Sequence, residues 1–493
     1  MRRSGVLLHI SSLPSPYGVG TFGKAAYKFI DLLYKAEQTY WQILPLGPTS
    51  FGDSPYQTFS AFANNPYFID LDLLVKEGLL KKSDITMVPK DHRYVDYLDL
   101  YEHRFDILKK AYHRFDQNDS DYLNFIHQEK FWLNDYALFM ALKKHHQGAS
   151  WESWEDGLRY RDQDVLDTYK VQMNEEINFF MFVQYKAFKQ YHALKKYAND
   201  KGIKLIGDMP IYVSYDSADV WANPKYFHLD EKRMPIEVAG VPPDHFSVEG
   251  QLWGNPLYDW NYLKQHDYKW WIERVKASME QFDMIRIDHF IGFQNFFAIP
   301  YGHLHAIHGQ WKKGPGIDLF NVIKEILGDV NIIAEDLGVI TDDVRKLLQQ
   351  TGFPGMKLLQ FAFDSREESD YLPHLYERNI IAYTGTHDNE TTAQWFKGLP
   401  KKDLSYCLAY INHQTGNPVD SLIKATLACV ADTAIVPMQD WLSLGKEARM
   451  NIPSTTGNNW RWRVLKEELN QNLIKKMKSF TLLYGRGYQG KRG

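Results

Sequence analysis

Cysteine is almost absent from this chain. Two residues, Cys407 and Cys429, stand among 493, too few for a disulfide framework or a cysteine-built zinc site. Both read as buried thiols in a reducing compartment. Long apolar runs are missing as well: no stretch approaches the ~20 residues that span a membrane. The run 5–10, which follows Arg2 and Arg3, is shorter than a signal-peptide core and soon meets Pro14 and Pro16. A cytoplasmic location is the expectation. Nor does one sign of charge dominate, since 57 basic residues against 61 acidic ones leave a net charge of −4. That balance offers nothing to nucleic acid or to an anionic membrane. The chain also lacks a Gly-x-Gly-x-x-Gly turn after its first apolar run, a His-Glu-x-x-His pair and a phosphate-cradling loop. No cofactor and no metal is expected.

What the chain has in quantity is aromatic residues, 15% of the total, with 14 Trp, 31 Tyr and 28 Phe. Most must serve a large core. Several fall in Gly/Pro-rich stretches that read as loops, where exposed rings suit the flat apolar faces of pyranose sugars.

Eight short apolar runs recur at 5–10, 41–46, 204–208, 284–288, 331–335, 356–361, 380–384 and 434–438. Helical patterns at 23–35, 268–281, 342–350 and 418–431 separate several of them. Alternating strand and helix imply a parallel sheet, and eight units imply a closed (β/α)8 barrel, an α/β fold in one catalytic domain. An open doubly wound sheet is the rival, weakened by the missing glycine turn. Between the second and third runs the gap is too long for one crossover helix. Tyr101, Phe105, Leu108, Tyr112 and Phe115 step at helical spacing, and 131–144 and 175–197 are further helices, the latter with a stripe of Ile177, Met181, Tyr185 and Phe188. A helical insertion is therefore expected at 68–190. The connection 212–260 has no clear period but is rich in rings, among them Phe246, Trp253 and Tyr258. A substrate-binding lid is the reading preferred over disorder.

The run Met284-Ile-Arg286-Ile-Asp288 puts Met284, Arg286 and Asp288 on one face of a strand and Ile285 and Ile287 on the other. A guanidinium and a carboxylate then share an enclosed space. Desolvating such a pair is expensive, so it is either a structural ion pair or a site. Catalytic groups of these barrels lie at the carboxyl ends of strands. Those ends carry Asp208, Asp288, Glu335 with Asp336, and His387-Asp388. Acids dominate, which allows a magnesium site or a glycosidase-type pair. Arg286 weighs against the metal and for the pair, because a guanidinium keeps a nucleophilic carboxylate ionised. Glu335 follows an apolar run, and burial there would raise its pKa as a general acid requires. Asp208 reads equally as a cap and Asp336 as a group behind the site, whereas the acid beside His387 weighs against reading it as a core histidine.

Arg286-Ile-Asp288-His-Phe, Ala334-Glu335-Asp-Leu-Gly338 and Thr386-His387-Asp388-Asn389 resemble the active-site motifs of amylomaltases, the 4-α-glucanotransferases of glycoside hydrolase family 77, related to the α-amylase clan. Gly52-Asp-Ser-Pro-Tyr-Gln57, Gly207-Asp-Met-Pro-Ile-Tyr212 and Gly240-Val-Pro-Pro-Asp244 are similar to that family too, as is Leu8-His-Ile-Ser-Ser-Leu-Pro14. The resemblance implies Asp288 as nucleophile through a covalent β-glucosyl intermediate, Glu335 as acid/base, and Asp388 as the acid holding sugar hydroxyls. Arg286 and His387 would support that subsite, with Asp208 and Ser54 as further contacts. Tyr56 would stack on the sugar, and Trp253 and Phe246 would grip the chain. The partners implied are an α-1,4-glucan donor and acceptor, maltooligosaccharides or glucose. The same acids fit an α-amylase-type hydrolase, and a silent glucan-binding protein is the third reading. Transfer must outcompete water: at about 55 M water and roughly 10 mM acceptor, that bias is about 5 kcal/mol.

Overall fold

The computed structural model describes residues 2–50, 52–87, 91–243, 248–338 and 340–487. Twelve strands occur among them: β1 (Arg3–Leu7), β2 (Tyr40–Gln42), β3 (Lys204–Pro210), β4 (Glu237–Val241), β5 (Gln251–Pro256), β6 (Met284–Asp288), β7 (Asn295–Pro300), β8 (Gln310–Lys313), β9 (Ile332–Ala334), β10 (Gly355–Leu358), β11 (Ile380–Tyr383) and β12 (Thr433–Pro437). Eight of these form one parallel sheet in the order β10-β11-β12-β1-β2-β3-β6-β9. The two ends of that order meet, where the Ala334 N–H donates to the Pro354 carbonyl at 2.9 Å. The sheet is thus a (β/α)8 barrel, and the open-sheet alternative falls. β6 runs over the residues expected from its pattern, with Ile285, Arg286 and Ile287 buried.

Helices bracket the strands because their caps and stripes are written locally. Thr341 caps Asp342–Thr351 by accepting the Val344 N–H, and left-handed Gly352 ends that helix. Asn417 caps Pro418–Ala428, with proline in its first turn. Asp70 caps Leu71–Lys76 through the Leu73 N–H.

Between β2 and β3 the chain makes a helical excursion, including Tyr97–Tyr112, Ser120–Gln128, Lys130–His145 and Asn174–Asp200. The last helix runs unbroken past residue 190 to the turn before β3. Its buried set is wider than the stripe read from spacing, taking in Phe179, Phe180, Phe182, Val183 and Gln184 besides Ile177, Tyr185 and Phe188. A helix buried on several sides cannot keep one polar face. It stands between the helical layer and the barrel, and much of the aromatic content is spent there: Phe182 meets Phe115 at 5.0 Å and Tyr112 at 5.6 Å, and Phe188 meets Phe125 at 5.4 Å.

The connection 212–260 has more regular structure than its sequence suggests. It holds the helix Ala218–Ala222 and the antiparallel pair β4–β5. β4 also pairs with β7, and β7 with β8, so two excursions, after β3 and after β6, merge into one four-stranded antiparallel sheet, β5-β4-β7-β8. Asp244 and Phe246 lie outside the described residues. Among the described residues no helix is long and apolar enough to cross a membrane.

Candidate active site

Register builds the centre of the site. β3 pairs with β6 so that Asp208 stands beside Arg286. Arg286 Nη1 donates to both Asp208 oxygens, at 2.8 and 2.7 Å, while Nη2 reaches Asp288 Oδ1 at 2.9 Å. Arg286 Nε donates to Met356 Sδ at 3.4 Å. The guanidinium is almost sealed, and the Asp208 side chain is closed off entirely, whereas 30% of the Asp288 side chain remains open. One cation therefore sits between two carboxylates, one buried behind it and one facing the cleft.

β6 also pairs with β9, Ile287 beside Ala334. One step further along both strands stand Asp288 and Glu335, on neighbouring strands about 4.8 Å apart. Glu335 Oε2 accepts the His289 N–H at 2.6 Å and Oε1 the Leu337 N–H at 2.8 Å. His289 presents its amide by adopting a left-handed conformation, φ 53°, which costs a non-glycine residue about 1–2 kcal/mol. Burial pushes the Glu335 carboxyl up to about 7; Arg286 pulls it down, Asp288 pushes it up, and the two amides oppose the rise.

The third acid comes from the loop after β11. Asn389 Oδ1 accepts both the N–H and the hydroxyl of Thr386, at 2.8 and 2.9 Å, which pins the turn that carries His387 and Asp388. Behind that loop, Asp440 accepts from the Thr384 hydroxyl at 2.6 Å and from the Thr392 amide at 2.7 Å. Asp388 receives Asn451 Nδ2 at 2.6 Å and lies 3.3 Å from His387 Nε2. Partial desolvation works against its charge, although 42% of the side chain is open, and His387 and Asn451 override it and hold the carboxyl down at about 2. For His387, burial opposes protonation and the Asp388 carboxylate outweighs it, leaving the imidazole above its ordinary value.

Tyr56 links the two halves. Its hydroxyl donates to Asp208 Oδ2 at 2.7 Å and lies 2.9 Å from His387 Nε2. A hydroxyl has one proton to give, so His387 Nε2 must carry the hydrogen in that contact. The Tyr56 and His387 rings are parallel within 16° at 5.2 Å, and Trp460 lies 5.7 Å from Tyr56. Ser54 does not face the acids through its hydroxyl bond: Oγ accepts the Tyr56 N–H at 3.2 Å and shapes the turn beneath it. Trp253, on β5, meets the His289 ring edge-on at 4.8 Å.

The structure thus gathers Asp208, Arg286, Asp288, Glu335, His387, Asp388 and Tyr56 at the carboxyl rim, with Trp253 on the adjoining wall. Sequence reasoning missed Asn451, Trp460, Met356 and the backbone of His289. Met356 was visible as an apolar strand residue, but its sulfur's contact with a guanidinium has no sequence signature. Asn451 and Trp460 come from an irregular stretch past the eighth strand, and only the aromatic cluster Trp460-Arg-Trp462 hinted at a loop with a task.

The chain is matched at residues 8–468 by the model of a family described as 4-alpha-glucanotransferase. It is 47% identical to a 4-alpha-glucanotransferase of Clostridium butyricum, over 97% of this chain and all of that protein. It is 46% identical to one from Streptococcus pneumoniae, covering 98% and 97%. Among solved structures, an amylomaltase from Streptococcus agalactiae in complex with acarbose is similar at TM-score 0.97 and 44% identity, covering 99% of this chain and 100% of that one. Barrel and acid-lined rim together define a (β/α)8-barrel enzyme of carbohydrate metabolism. More narrowly, the chain belongs to the 4-alpha-glucanotransferase family.

Proposed function

We propose that this enzyme transfers α-1,4-glucan segments between maltooligosaccharides by a retaining double displacement. Asp288 attacks the anomeric carbon while Glu335 protonates the leaving oxygen, and a β-glucosyl–Asp288 intermediate forms. The 4-hydroxyl of an acceptor glucan then enters. Glu335, now a base, takes its proton and an α-1,4 bond is restored. Asp388 and His387 hold hydroxyls of the reacting sugar, Tyr56 and Arg286 line the same subsite, and Trp253 grips the chain beside the scissile bond. The two carboxyls would stand roughly 5 Å apart in an occupied site. The connection 212–260 acts as a lid whose aromatic residues favour an acceptor sugar over water.

The observation that carries this reading is the unequal treatment of two neighbouring carboxylates. Asp288 is open to the cleft and bonded to Arg286, as a nucleophile needs, whereas Glu335 is buried and pushed up to about 7, as a proton donor needs. The free thiols Cys407 and Cys429, both buried, fit a cytoplasmic enzyme.

Incubation with maltotriose tests the proposal. A ladder of longer glucans without a matching rise in reducing ends is expected, and a proportional rise would mean hydrolysis instead. Asp288→Asn should abolish both products. Unchanged product formation in that variant would remove Asp288 from the mechanism.

A further inference from the structure

Seven of the eight neighbouring strand pairs around the barrel are joined by a ladder of paired residues. At the eighth, between β9 and β10, the described residues supply no such ladder, and the backbone bond there is Ala334 N–H to Pro354. Just above it, at the catalytic rim, a side chain takes the place of a strand carbonyl: Asp336 Oδ1 accepts the Met356 N–H at 2.7 Å. The fit is close on the other side of the seam. A Cβ at position 355 would stand 2.4 Å from Asp336 Oδ2, so the carboxylate occupies the space that only glycine leaves free.

Both ends of this bond lead to the reacting groups. Asp336 lies between Glu335 and Leu337, and the Leu337 N–H holds Glu335 Oε1 at 2.8 Å. Met356 carries the sulfur that accepts from Arg286 Nε, and Arg286 in turn holds Asp288 at 2.9 Å. A misplacement of about 1 Å at such a centre costs on the order of a hundredfold in rate.

We propose that Asp336 is a positioning residue whose carboxylate stands in for the missing ladder at the β9–β10 seam. It thereby holds Glu335, and through Met356 the Arg286–Asp288 pair, at reacting distance. This rests on the reading of Asp288 and Glu335 as the reacting carboxyls.

The test compares Asp336→Ala, Asp336→Asn, Gly355→Ala and the double variant Asp336→Ala/Gly355→Ala, each checked for native circular dichroism, with Glu335→Gln as a control. In Asp336→Ala, kcat for maltotriose should fall about 10- to 100-fold while KM stays within about twofold. The alkaline limb of kcat/KM should move to higher pH, because loosening the Leu337 amide removes a donor that favours ionised Glu335. Asp336→Asn retains an oxygen that can accept the Met356 amide and should recover most of the rate. Gly355→Ala should damage the wild-type chain by evicting the carboxylate and add little in the Asp336→Ala background. An Asp336→Ala enzyme with wild-type kcat and an unmoved limb would overturn the proposal, as would an Asp336→Asn variant no better than alanine. If Glu335→Gln kept full activity, the assignment of Glu335 would fall instead, which separates the two failures.

Discussion

At the scale of single residues the site works by giving like groups unlike surroundings. Glu335 is held by two amides and still lies near neutrality, because burial outweighs them. Its folded-state value stands above the ordinary 4.5. The folded chain therefore binds that proton more tightly than the unfolded chain, and stability falls as pH rises from about 4.5 to about 7. The loss is on the order of 3 kcal/mol once both states are ionised. Glu335→Gln removes this titration. The melting temperature of that variant relative to wild type should rise steadily between about pH 5 and about pH 8, and a difference independent of pH would contradict it. The acids themselves were legible from the sequence, because each ends an apolar run or follows one within a few residues. What surrounds Glu335 was not, since its amide donors belong to His289, just past the end of β6, and to a loop whose direction only the fold sets.

At the scale of elements, the barrel strands were readable and the second sheet was not. Strands such as β11 and β12, buried on both faces, leave near-continuous apolar runs. β4 and β5 are short, contain Gly240 and Gly254, and lie beside Pro242 and Pro243, which read locally as loop. They are strands because β4 pairs with β5 on one side and with β7, from a separate excursion, on the other, and β8 extends the sheet beyond β7. The stretch after β12 is similar: past the short helices Met438–Trp441 and Lys446–Ala448 it returns to the rim as an irregular segment and delivers Asn451 to Asp388. A hydrogen bond to a charged acceptor is worth about 1.5–3 kcal/mol. Asn451→Ala should therefore lower kcat/KM for maltooligosaccharides about tenfold or more and lower the melting temperature by a few degrees. A variant with wild-type kcat/KM would mean that Asp388 needs no such support.

At the scale of the whole molecule, Arg2 and Arg486, far apart in sequence, are fastened to the same backbone segment. Arg2 donates to the carbonyls of Leu427 and Cys429, and Arg486 donates to those of Leu427, Cys429 and Ala431, so both guanidinium groups satisfy the backbone at and just past the end of one helix. The helix Gln471–Leu483 buries Leu473, Met477 and Thr481, and the Thr481 hydroxyl receives Gln38 Nε2 at 2.8 Å. Burial of the two apolar side chains alone is worth about 3–6 kcal/mol, against a total stability of about 5–15 kcal/mol for a typical domain. Ending the chain at Asn470 should sharply lower the urea midpoint, or prevent folding, although no proposed catalytic residue is removed. An unchanged midpoint would show that the fastening contributes nothing.

Composition and order alone determined the eight strands of the barrel, the helical excursion and the placing of Asp288, Glu335 and Asp388 at or past strand ends, because apolar periodicity and terminal position are local properties of a chain; Asp208, read as a strand end, lies inside β3. Tertiary structure decided what each acid faces. Asp208, Asp288 and Glu335 are all carboxylates after apolar residues, and no local rule separates them. The β3–β6 register puts Arg286 between the first two. The β6–β9 register sets Glu335 beside Asp288. Burial and charge, which arise from residues far apart in sequence, then assign one proton to Glu335 and leave Asp288 against the guanidinium.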